Sequence, residues 1–241
     1  FNALANIVVN TFSVGGGSGQ FYAAADTTCS GAAPASVTIT TGTSSTTIRY
    51  KSNVAETRTL SVDDGAGGVD AGTLSFQTGP SKIILSGTAS IRSGDCTVYT
   101  VTSRDVNNNA ANVLSAVTVD LSKSGGSGAF YSNAACSTST STATIASGTS
   151  STTFYYIDSV AEATTLTIAD NNAGYLAGSN LVVTTGPQAY QLTGLTPIRA
   201  GECGLYTITT KDAAGNTANA LSALTVNQLV DGSATGGFYA A

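Results

Sequence analysis

The sequence contains no histidine, no methionine and no tryptophan, and only 10% of its 241 residues are charged. Without imidazole groups, a Ser-His-Asp or Cys-His nucleophile system and an imidazole metal site are excluded. The nine basic residues are spread along the chain, so nucleic acid is not an expected partner. No uninterrupted apolar run of about 18 residues is present, so no membrane span is predicted in this segment. These absences predict a protein that is not an enzyme and has no cofactor.

The acidic residues beside the turns are the remaining candidates for a metal or catalytic site. Calcium needs six to eight oxygen ligands, usually with several carboxylates among them, and no Asp-x-Asp-x-Asp spacing is present. A glycosidase pair needs two carboxylates fixed across a cleft, which a turn does not provide. We therefore predict no metal site and interpret the following as solvated turn residues: Asp63, Asp64, Asp70, Asp105, Asp170 and Asp212.

The remaining composition predicts strands joined by polar turns. Aromatic residues make up 7% and hydrophobic residues 41% of the chain, which is enough for small sandwich cores. Period-two alternation recurs in short runs such as 1–10, 36–40 and 57–62, each bounded by turn residues. The glycine-rich segments 15–19 and 125–128 lack the Lys-Ser/Thr of a phosphate loop and are interpreted as flexible turns. The predicted fold class is all-β, an antiparallel sandwich with roughly seven strands per unit.

An internal repeat organises the chain. Its period of 107 residues is read from three pairs of like residues, which are Cys29 and Cys136, Pro80 and Pro187, and Cys96 and Cys203. Two periods leave an overlap, because 2–24 is matched again by 219–241. We therefore expect the sequence to be a window cut from, or matured out of, a longer array.

Each repeat contains two strand patterns around a polar turn. In 203–226 this turn runs from Asp212 to Asn216, whose residues tolerate a tight reversal, and the same pattern occurs in 96–119. A hairpin or a corner between two sheets is expected at each turn.

Aromatic residues recur at fixed strand positions, namely Phe21-Tyr22, Phe130-Tyr131, Phe238-Tyr239, Tyr99 and Tyr206. Side chains of this size at fixed positions usually fill a core or a corner. We predict core positions, and a periodic sticky stripe is the alternative.

Two segments, 144–156 and 206–216, give the repeat a family resemblance. They resemble the tandem bacterial immunoglobulin-like repeats of large cell-surface proteins, the invasin- or adhesin-type group. The likeness covers essentially the whole chain. It implies tandem immunoglobulin-like β-sandwiches in an extracellular location at the bacterial cell surface, where such repeats usually serve as spacers. In many long adhesins calcium stiffens the domain junctions, and this stays an alternative.

The resemblance also suggests where the domains begin. In that family a unit starts near a Gly-Pro such as Gly79-Pro80, which makes 80–186 one complete domain. Residues 1–79 then form a partial repeat that lacks its first strands. Residues 187–241 form a partial repeat that lacks its later strands.

Four cysteines in a chain without histidine favour disulfides over zinc, and three pairings are possible. The frame implied by the resemblance pairs Cys96 with Cys136. It leaves Cys29 and Cys203 for cysteines outside this segment or in another copy. A competing frame starts each unit near Gly19 and gives two other bridges, Cys29–Cys96 and Cys136–Cys203. Buried free thiols are a further interpretation.

Three classes of function remain open. The first is a structural repeat module that extends a bacterial extracellular fibre, stalk or adhesin from the cell surface and contacts neighbouring repeats of the same protein. The alternative is a self-assembling filament subunit, whose incomplete end domains are completed by strands of neighbouring copies. A carbohydrate- or protein-binding head is third, and it would normally carry one divergent unit with inserted loops.

Overall fold

The fold is taken from a computed structural model that describes residues 2–14, 19–65, 67–172, 176–229 and 237–238, with only the backbone described for 11–14. No helix occurs among these residues, so none of them forms a helix that could cross a bilayer. The strands within these ranges are β1 Ile7–Val14, β2 Gln20–Ala23, β3 Ser36–Ile39, β4 Ile48–Lys51, β5 Thr57–Asp63, β6 Gly72–Gln77, β7 Lys82–Gly87, β8 Ser90–Arg92, β9 Thr97–Arg104, β10 Val117–Ser124, β11 Ala129–Tyr131, β12 Thr142–Ile145, β13 Ser151–Ile157, β14 Ala163–Asp170, β15 Ser179–Gly186, β16 Ala189–Gly194 and β17 Tyr206–Lys211.

Strands β7 to β15 form a two-sheet sandwich, the central unit. One sheet has the order β11-β13-β9-β7 and the other the order β12-β10-β14-β15-β8, and only the β15–β8 pair is parallel. In immunoglobulin domains the strands A, B, E and D share one sheet and C, F and G the other, which is the arrangement found here. The predicted fold class, all-β with tandem immunoglobulin-like antiparallel sandwiches, is confirmed. The short edge strands β8 and β12 bring the central unit to nine strands, where roughly seven were expected.

Alternate residues of the inner strands build the core of the central unit. In β9 the inward residues Tyr99, Val101 and Ser103 are fully buried, and the residues between them are at least partly exposed. The Tyr99 ring stacks on Phe154 with the ring centroids 5.7 Å apart, and Phe130 meets Phe154 edge-on at 5.7 Å. The predicted core role of the repeated aromatics is confirmed for Phe21, Tyr99 and Phe130, which are buried. It is wrong for Tyr206 and Phe238, which are exposed in the described residues.

The first repeat uses the same strand order with fewer strands. The order β3-β1-β5-β6 repeats that of β12-β10-β14-β15, and β2-β4 repeats β11-β13. Counterparts of β7, β8 and β9, meaning strands at the same position of the repeat, are absent from its described residues.

The first strand starts later than predicted. It spans Ile7–Val14 and not residues 1–10, and Phe1 lies outside the described residues. The preceding residues bind the 40–43 turn, because the Ala3 N–H donates to the Thr43 carbonyl at 2.7 Å and Asn6 Oδ1 accepts the Thr41 N–H at 2.8 Å. These contacts hold the chain out of the ladder until Ile7.

The last repeat contributes the hairpin β16–β17. Its register, with Leu192 opposite Ile208, is the register in which β7 places Leu85 opposite Val101. In the central unit the equivalent polar turn, 105–109, is a corner between sheets, since β9 and β10 on either side of it lie in different sheets.

The second strand pattern of this repeat, at 219–226, forms no strand in the structure, which corrects the prediction. The reason is that counterparts of β12 and β14, the strands that pair with β10 in the central unit, are absent from the described part of the last repeat. A strand without neighbours cannot pair its backbone groups. The glycine-rich residues 15–18 and Tyr239 lie outside the described residues, so the predictions made for them are not examined by the structure.

Candidate functional site at the repeat junctions

The aspartates considered as metal ligands act mainly as caps of their own turns. Asp64 accepts three backbone N–H bonds within its loop at 3.0 to 3.1 Å. Asp170 accepts the N–H groups of Asn172 at 3.0 Å and Leu176 at 2.9 Å. Among the described residues, no group of three or more His, Cys, Asp or Glu side chains could hold a metal ion.

Three of these aspartates are buried, namely Asp105, Asp170 and Asp212, which corrects the expectation that they are solvated. Hydrogen-bond donors of the protein take the place of water at each carboxylate. Asp105 and Asp212 occupy the same position in successive repeats, in the turn that follows β9 or β17. Their donors include a backbone group of the preceding repeat, and this contact forms the junction between repeats.

Asp212 joins the last repeat to the central unit. Its Oδ2 accepts the backbone N–H of Ala161 at 3.1 Å. Beside this bond, the Ala214 N–H donates to the Ser159 carbonyl at 3.1 Å. Asp212 Oδ1 also accepts the N–H of Asn216 at 2.8 Å. One carboxylate therefore caps its own turn and docks that turn on the loop before β14.

A second set of contacts holds the same junction at the end of β8. Ser93 Oγ accepts the N–H of Ala213 at 2.9 Å, and the Arg92 guanidinium donates to the Gln188 carbonyl at 2.7 Å. The last repeat thus touches the central unit at two places, after β8 and before β14. The two receiving loops are joined to each other, since the Gly94 N–H donates to the Asp158 carbonyl at 2.7 Å.

Asp158 braces the loop that receives the junction. Its buried carboxylate accepts the hydroxyl of Tyr156 at 3.1 Å, the hydroxyl of Ser127 at 2.9 Å and the N–H of Val160 at 3.0 Å. These bonds fix the backbone next to Ala161, so the donor that Asp212 requires is already in place.

The same carboxylate contact occurs between the first repeat and the central unit. Asp105 accepts the N–H of Asn109 at 2.9 Å, and the Ala55 backbone is among the groups that lower its pKa. Ala55 is the counterpart of Ala161, and Asn109 is the counterpart of Asn216. The junction is therefore a repeating element of this chain.

Hydrogen bonding keeps both junction carboxylates ionised. Burial opposes ionisation of Asp212, but hydrogen bonds from Ala161 and Asn216 outweigh it and hold its pKa below the ordinary value of 3.8. For Asp105 burial is again the largest opposing influence, and hydrogen bonds led by those from Asn109 lower the pKa. Both groups are charged near neutral pH, where bonds to a charged acceptor are stronger than neutral ones.

A disulfide joins the start of β9 to the loop between β11 and β12. The Sγ atoms of Cys96 and Cys136 are 2.04 Å apart and their Cα atoms 5.9 Å apart. Cys29 is half-buried and Cys203 exposed, and both are unpaired within the chain. The pairing of all four cysteines in the native protein stays a prediction, as do the domain boundaries at 80 and 186.

The residues that receive the junction aspartates carry no signal of that role in the sequence. Ala55 and Ala161 act through their backbone N–H groups, which no residue type marks, and Ser93 is one of many serines in the chain. The available signal was the recurrence of Asp105 and Asp212 in the same turn of successive repeats.

No protein-family model matches the chain, and no curated protein matches it. Among solved structures, the surface layer protein SbsC, domains 4–9, is similar at 16% identity with a TM-score of 0.32, covering 84% of this chain and 29% of that one. The D0-D1 domain of intimin is similar at 15% identity with a TM-score of 0.30, covering 76% and 84%. A glycosyl hydrolase family 2 member from Bacteroides cellulosilyticus is similar at 14% identity with a TM-score of 0.35, and this chain spans only 18% of its length. At these identities and TM-scores the matches assign neither a family nor a function, and the invasin- or adhesin-type resemblance stays a prediction.

Proposed function

We propose that the chain is a structural repeat module of a bacterial extracellular fibre, stalk or adhesin, which extends the protein from the cell surface. The observation that carries this proposal is the buried carboxylate of Asp212, which accepts the Ala161 N–H at 3.1 Å. Asp105 is buried at the equivalent position of the preceding repeat, where the Ala55 backbone is among the groups that lower its pKa. A spacer needs a fixed angle between successive repeats. Here each repeat docks on the preceding one through the same turn, so the angle is set again at every step.

The chemistry of the junction favours stiffness. Domains within one chain ordinarily move relative to one another unless their interface holds them. A small bend that separates Asp212 from Ala161 without admitting water would remove one of the hydrogen bonds of a buried carboxylate, which is disfavoured. The Ser93 hydroxyl holds the next residue of the same turn, Ala213, against the central unit.

An extracellular location and the absence of catalysis are part of the proposal. Disulfides persist in oxidising compartments, so a bridge between Cys96 and Cys136 supports an exported protein. The chain has no imidazole, and its buried carboxylates are occupied by backbone N–H groups of its own turns and junctions. The proposed partners are therefore neighbouring repeats of the same protein.

Electron microscopy of single chains tests the stiff junction. We expect a narrow distribution of angles between the central unit and the last repeat in the wild type, and a broad one in Asp212→Ala. Asp70→Ala, which removes an exposed carboxylate, is the matched control and should leave the distribution narrow. A broad distribution in the wild type would contradict the spacer proposal.

Protease treatment of intact cells that produce the protein tests its location. We expect peptides of 80–186 to be released without lysis, because a surface module is accessible from outside. Release only after lysis would exclude the proposed location.

A further inference from the structure

The chain enters the central unit through a segment that runs the whole length of the sandwich. We call residues 81–93, which include β7 and β8, the entry segment. It starts beside Arg104, next to the Asp105 junction, and ends at Ser93, which contacts the last repeat. Its first half pairs with β9 and its second half with β15, so the segment crosses from one sheet to the other on the way.

The chain leaves the central unit alongside this segment and in the same direction. We call residues 177–186, which include β15, the exit segment. Both the bridge at the start of the two segments and the β15–β8 pair at their end are parallel. Hydrogen bonds join the segments from end to end, among them Ile83 N–H to the Ala177 carbonyl at 2.8 Å, Leu85 N–H to Ser179 Oγ at 2.7 Å, Thr184 N–H to the Ala89 carbonyl at 2.8 Å and Ser93 N–H to the Gly186 carbonyl at 3.0 Å.

Buried side chains keep water away from these hydrogen bonds. Ile83, Leu85 and Ile91 of the entry segment are buried, as are Val183 and Thr185 of the exit segment. Water can replace a backbone partner only after such side chains have moved. Each bond between the segments must therefore be broken in a surrounding of low polarity, where hydrogen bonds are stronger than in water.

Tension along the array acts on the two segments in opposite directions. The preceding repeat is joined to the entry segment at Pro80, and the following repeat to the exit segment at Pro187. Because the segments are parallel, these two attachments lie at opposite ends of the pair. Pulling the repeats apart slides one segment along the other and strains all their hydrogen bonds together, whereas strands peeled from one end lose their bonds one at a time.

We propose that the central unit bears tension applied along the array, and that the pairing of the entry and exit segments is the contact that resists it. The inference rests on the proposed structural function and adds the force that the module withstands. A surface fibre that holds a cell in place is pulled along its length. Its repeats stay folded only while their unfolding under force is slow.

The Cys96–Cys136 disulfide limits how far the central unit extends after the two segments separate. Neither cysteine belongs to the entry or the exit segment, so the segments must part before tension reaches the bridge. The residues between the cysteines then remain in a closed loop. With a sequence separation of 40, the bridge withholds about 140 Å of length at roughly 3.5 Å per residue.

Single-molecule force spectroscopy of the full chain, held by its two ends, identifies the central unit by this length. We expect one unfolding event to lengthen by about 140 Å when a reductant is added. The double variant Cys96→Ser/Cys136→Ser should show the longer event without reductant. The other events should not change, since Cys29 and Cys203 are unpaired within the chain.

A matched pair of proline variants tests the pairing of the two segments. Thr184→Pro removes the N–H that donates to the Ala89 carbonyl. Val182→Pro lies two residues earlier on the same strand, where the N–H points to the same side but lies outside the β8 register. At constant force Thr184→Pro should unfold about tenfold faster than Val182→Pro, because one hydrogen bond between the segments is lost. The event that lengthens on reduction must be present in both, which shows that the central unit has folded.

A milder pair of variants makes the test independent of proline. Ser179→Ala removes the hydroxyl oxygen that accepts the Leu85 N–H, and it should unfold about fivefold faster than the wild type under force. The control is Ser122→Ala, which removes a hydroxyl that donates to the Thr167 carbonyl at 3.5 Å between two other strands. This control should unfold at the wild-type rate.

A core variant separates resistance to force from stability. Ile145 is completely buried on β12, which lies at the opposite edge of the sheet from β8. Ile145→Ala should lower the urea midpoint of unfolding more than Ser179→Ala does, because it leaves a cavity. Under force the order should reverse, since the core stays packed until the two segments have parted.

Three results would overturn the inference. They are a wild-type unfolding rate under force in both Thr184→Pro and Ser179→Ala, faster unfolding under force in Ile145→Ala than in Ser179→Ala, and no event that lengthens on reduction. Each would leave the spacer proposal standing, because the angle at Asp212 is measured without tension. A broad angle distribution in the wild type, together with the expected order of rates under force, would instead refute the stiff spacer and retain the resistance to tension.

Discussion

The hairpins β7–β9 and β16–β17 have the same register in two different environments. Gly87 is opposite Tyr99 in one, and Gly194 is opposite Tyr206 in the other. The Tyr99 hydroxyl donates to the Thr88 carbonyl at 2.9 Å, and the Tyr206 hydroxyl to the Leu195 carbonyl at 3.0 Å. Among the residues that the structure describes, a second sheet and β13 cover the central hairpin and not β16–β17. The comparison shows that pairing within a hairpin is decided locally, whereas burial is decided by the strands that pack against it.

The largest expected difference between the two hairpins is the cost of removing the tyrosine ring. Tyr99→Ala should lower the free energy of unfolding by about 3 to 5 kcal/mol, because a completely buried aromatic leaves a cavity. Tyr206→Ala in a monomeric chain should cost about 1 kcal/mol or less, since its ring is already partly in water. Urea unfolding of both variants measures the difference. Equal losses of unfolding free energy would contradict the conclusion that the two tyrosines differ in burial.

The two pairs of cysteines should differ almost as much in their contribution to the free energy of unfolding. Replacing Cys96 and Cys136 by serine opens a loop with a sequence separation of 40, which costs about 3 to 4 kcal/mol in the chain-entropy model. Replacing Cys29 and Cys203 should leave the unfolding of the monomeric chain unchanged, because they are unpaired within it. Calorimetry of the two double variants measures both effects. A large loss of stability in the double variant of Cys29 and Cys203 would show that these cysteines already bond within one chain.

Acid should loosen the junctions before it affects the core. The pKa values of Asp105 and Asp212 lie below their ordinary value of 3.8 in the folded chain. Their contribution is therefore fully present above about 3.8 and is lost as the pH falls through the lower folded values. Electron microscopy of single chains across this range should show the angle distribution broadening while the circular dichroism of the central unit persists.

Asp212→Asn separates the two junctions in the acid experiment. The amide cannot titrate, so the angle between the central unit and the last repeat should no longer depend on pH, whereas the junction at Asp105 should respond as before. An unchanged pH response at both junctions would contradict the role of the carboxylate.

The smallest expected effect compares one turn in two repeats. Gly148 and Gly42 have φ values of +76° and +83°, and a Cβ at either position would meet no heavy atom within 4 Å. Alanine should therefore cost only the backbone strain, about 1 kcal/mol at each position. In hydrogen exchange, Gly148→Ala should lower the protection of backbone amides in the central unit, and Gly42→Ala should lower it in the first repeat. If both variants lowered amide protection in the central unit, the two repeats would unfold together.

Local patterns carried the correct part of the sequence analysis. The recurrence of aromatic residues at fixed strand positions predicted a core position for Tyr99, and the residues of the polar turn at 212–216 predicted that turn without knowledge of its neighbours. The same pattern failed at 219–226, where the residues favour a strand but no partner strand of that repeat is described. Strand propensity indicates that a segment favours the extended conformation. A strand forms only where a second segment lies close enough to pair with it.

The sequence by itself determined the all-β class, the repeat period of 107 residues and the positions of most strands, because alternation and turn chemistry act over a few residues. Only the tertiary structure decided which cysteine lies opposite Cys96, which backbone N–H meets Asp212, and which apolar faces remain open. These depend on segments far apart in the chain that share no local signal. The same repeat position is therefore buried at Tyr99 in the central unit and partly exposed at Tyr206 in the last repeat.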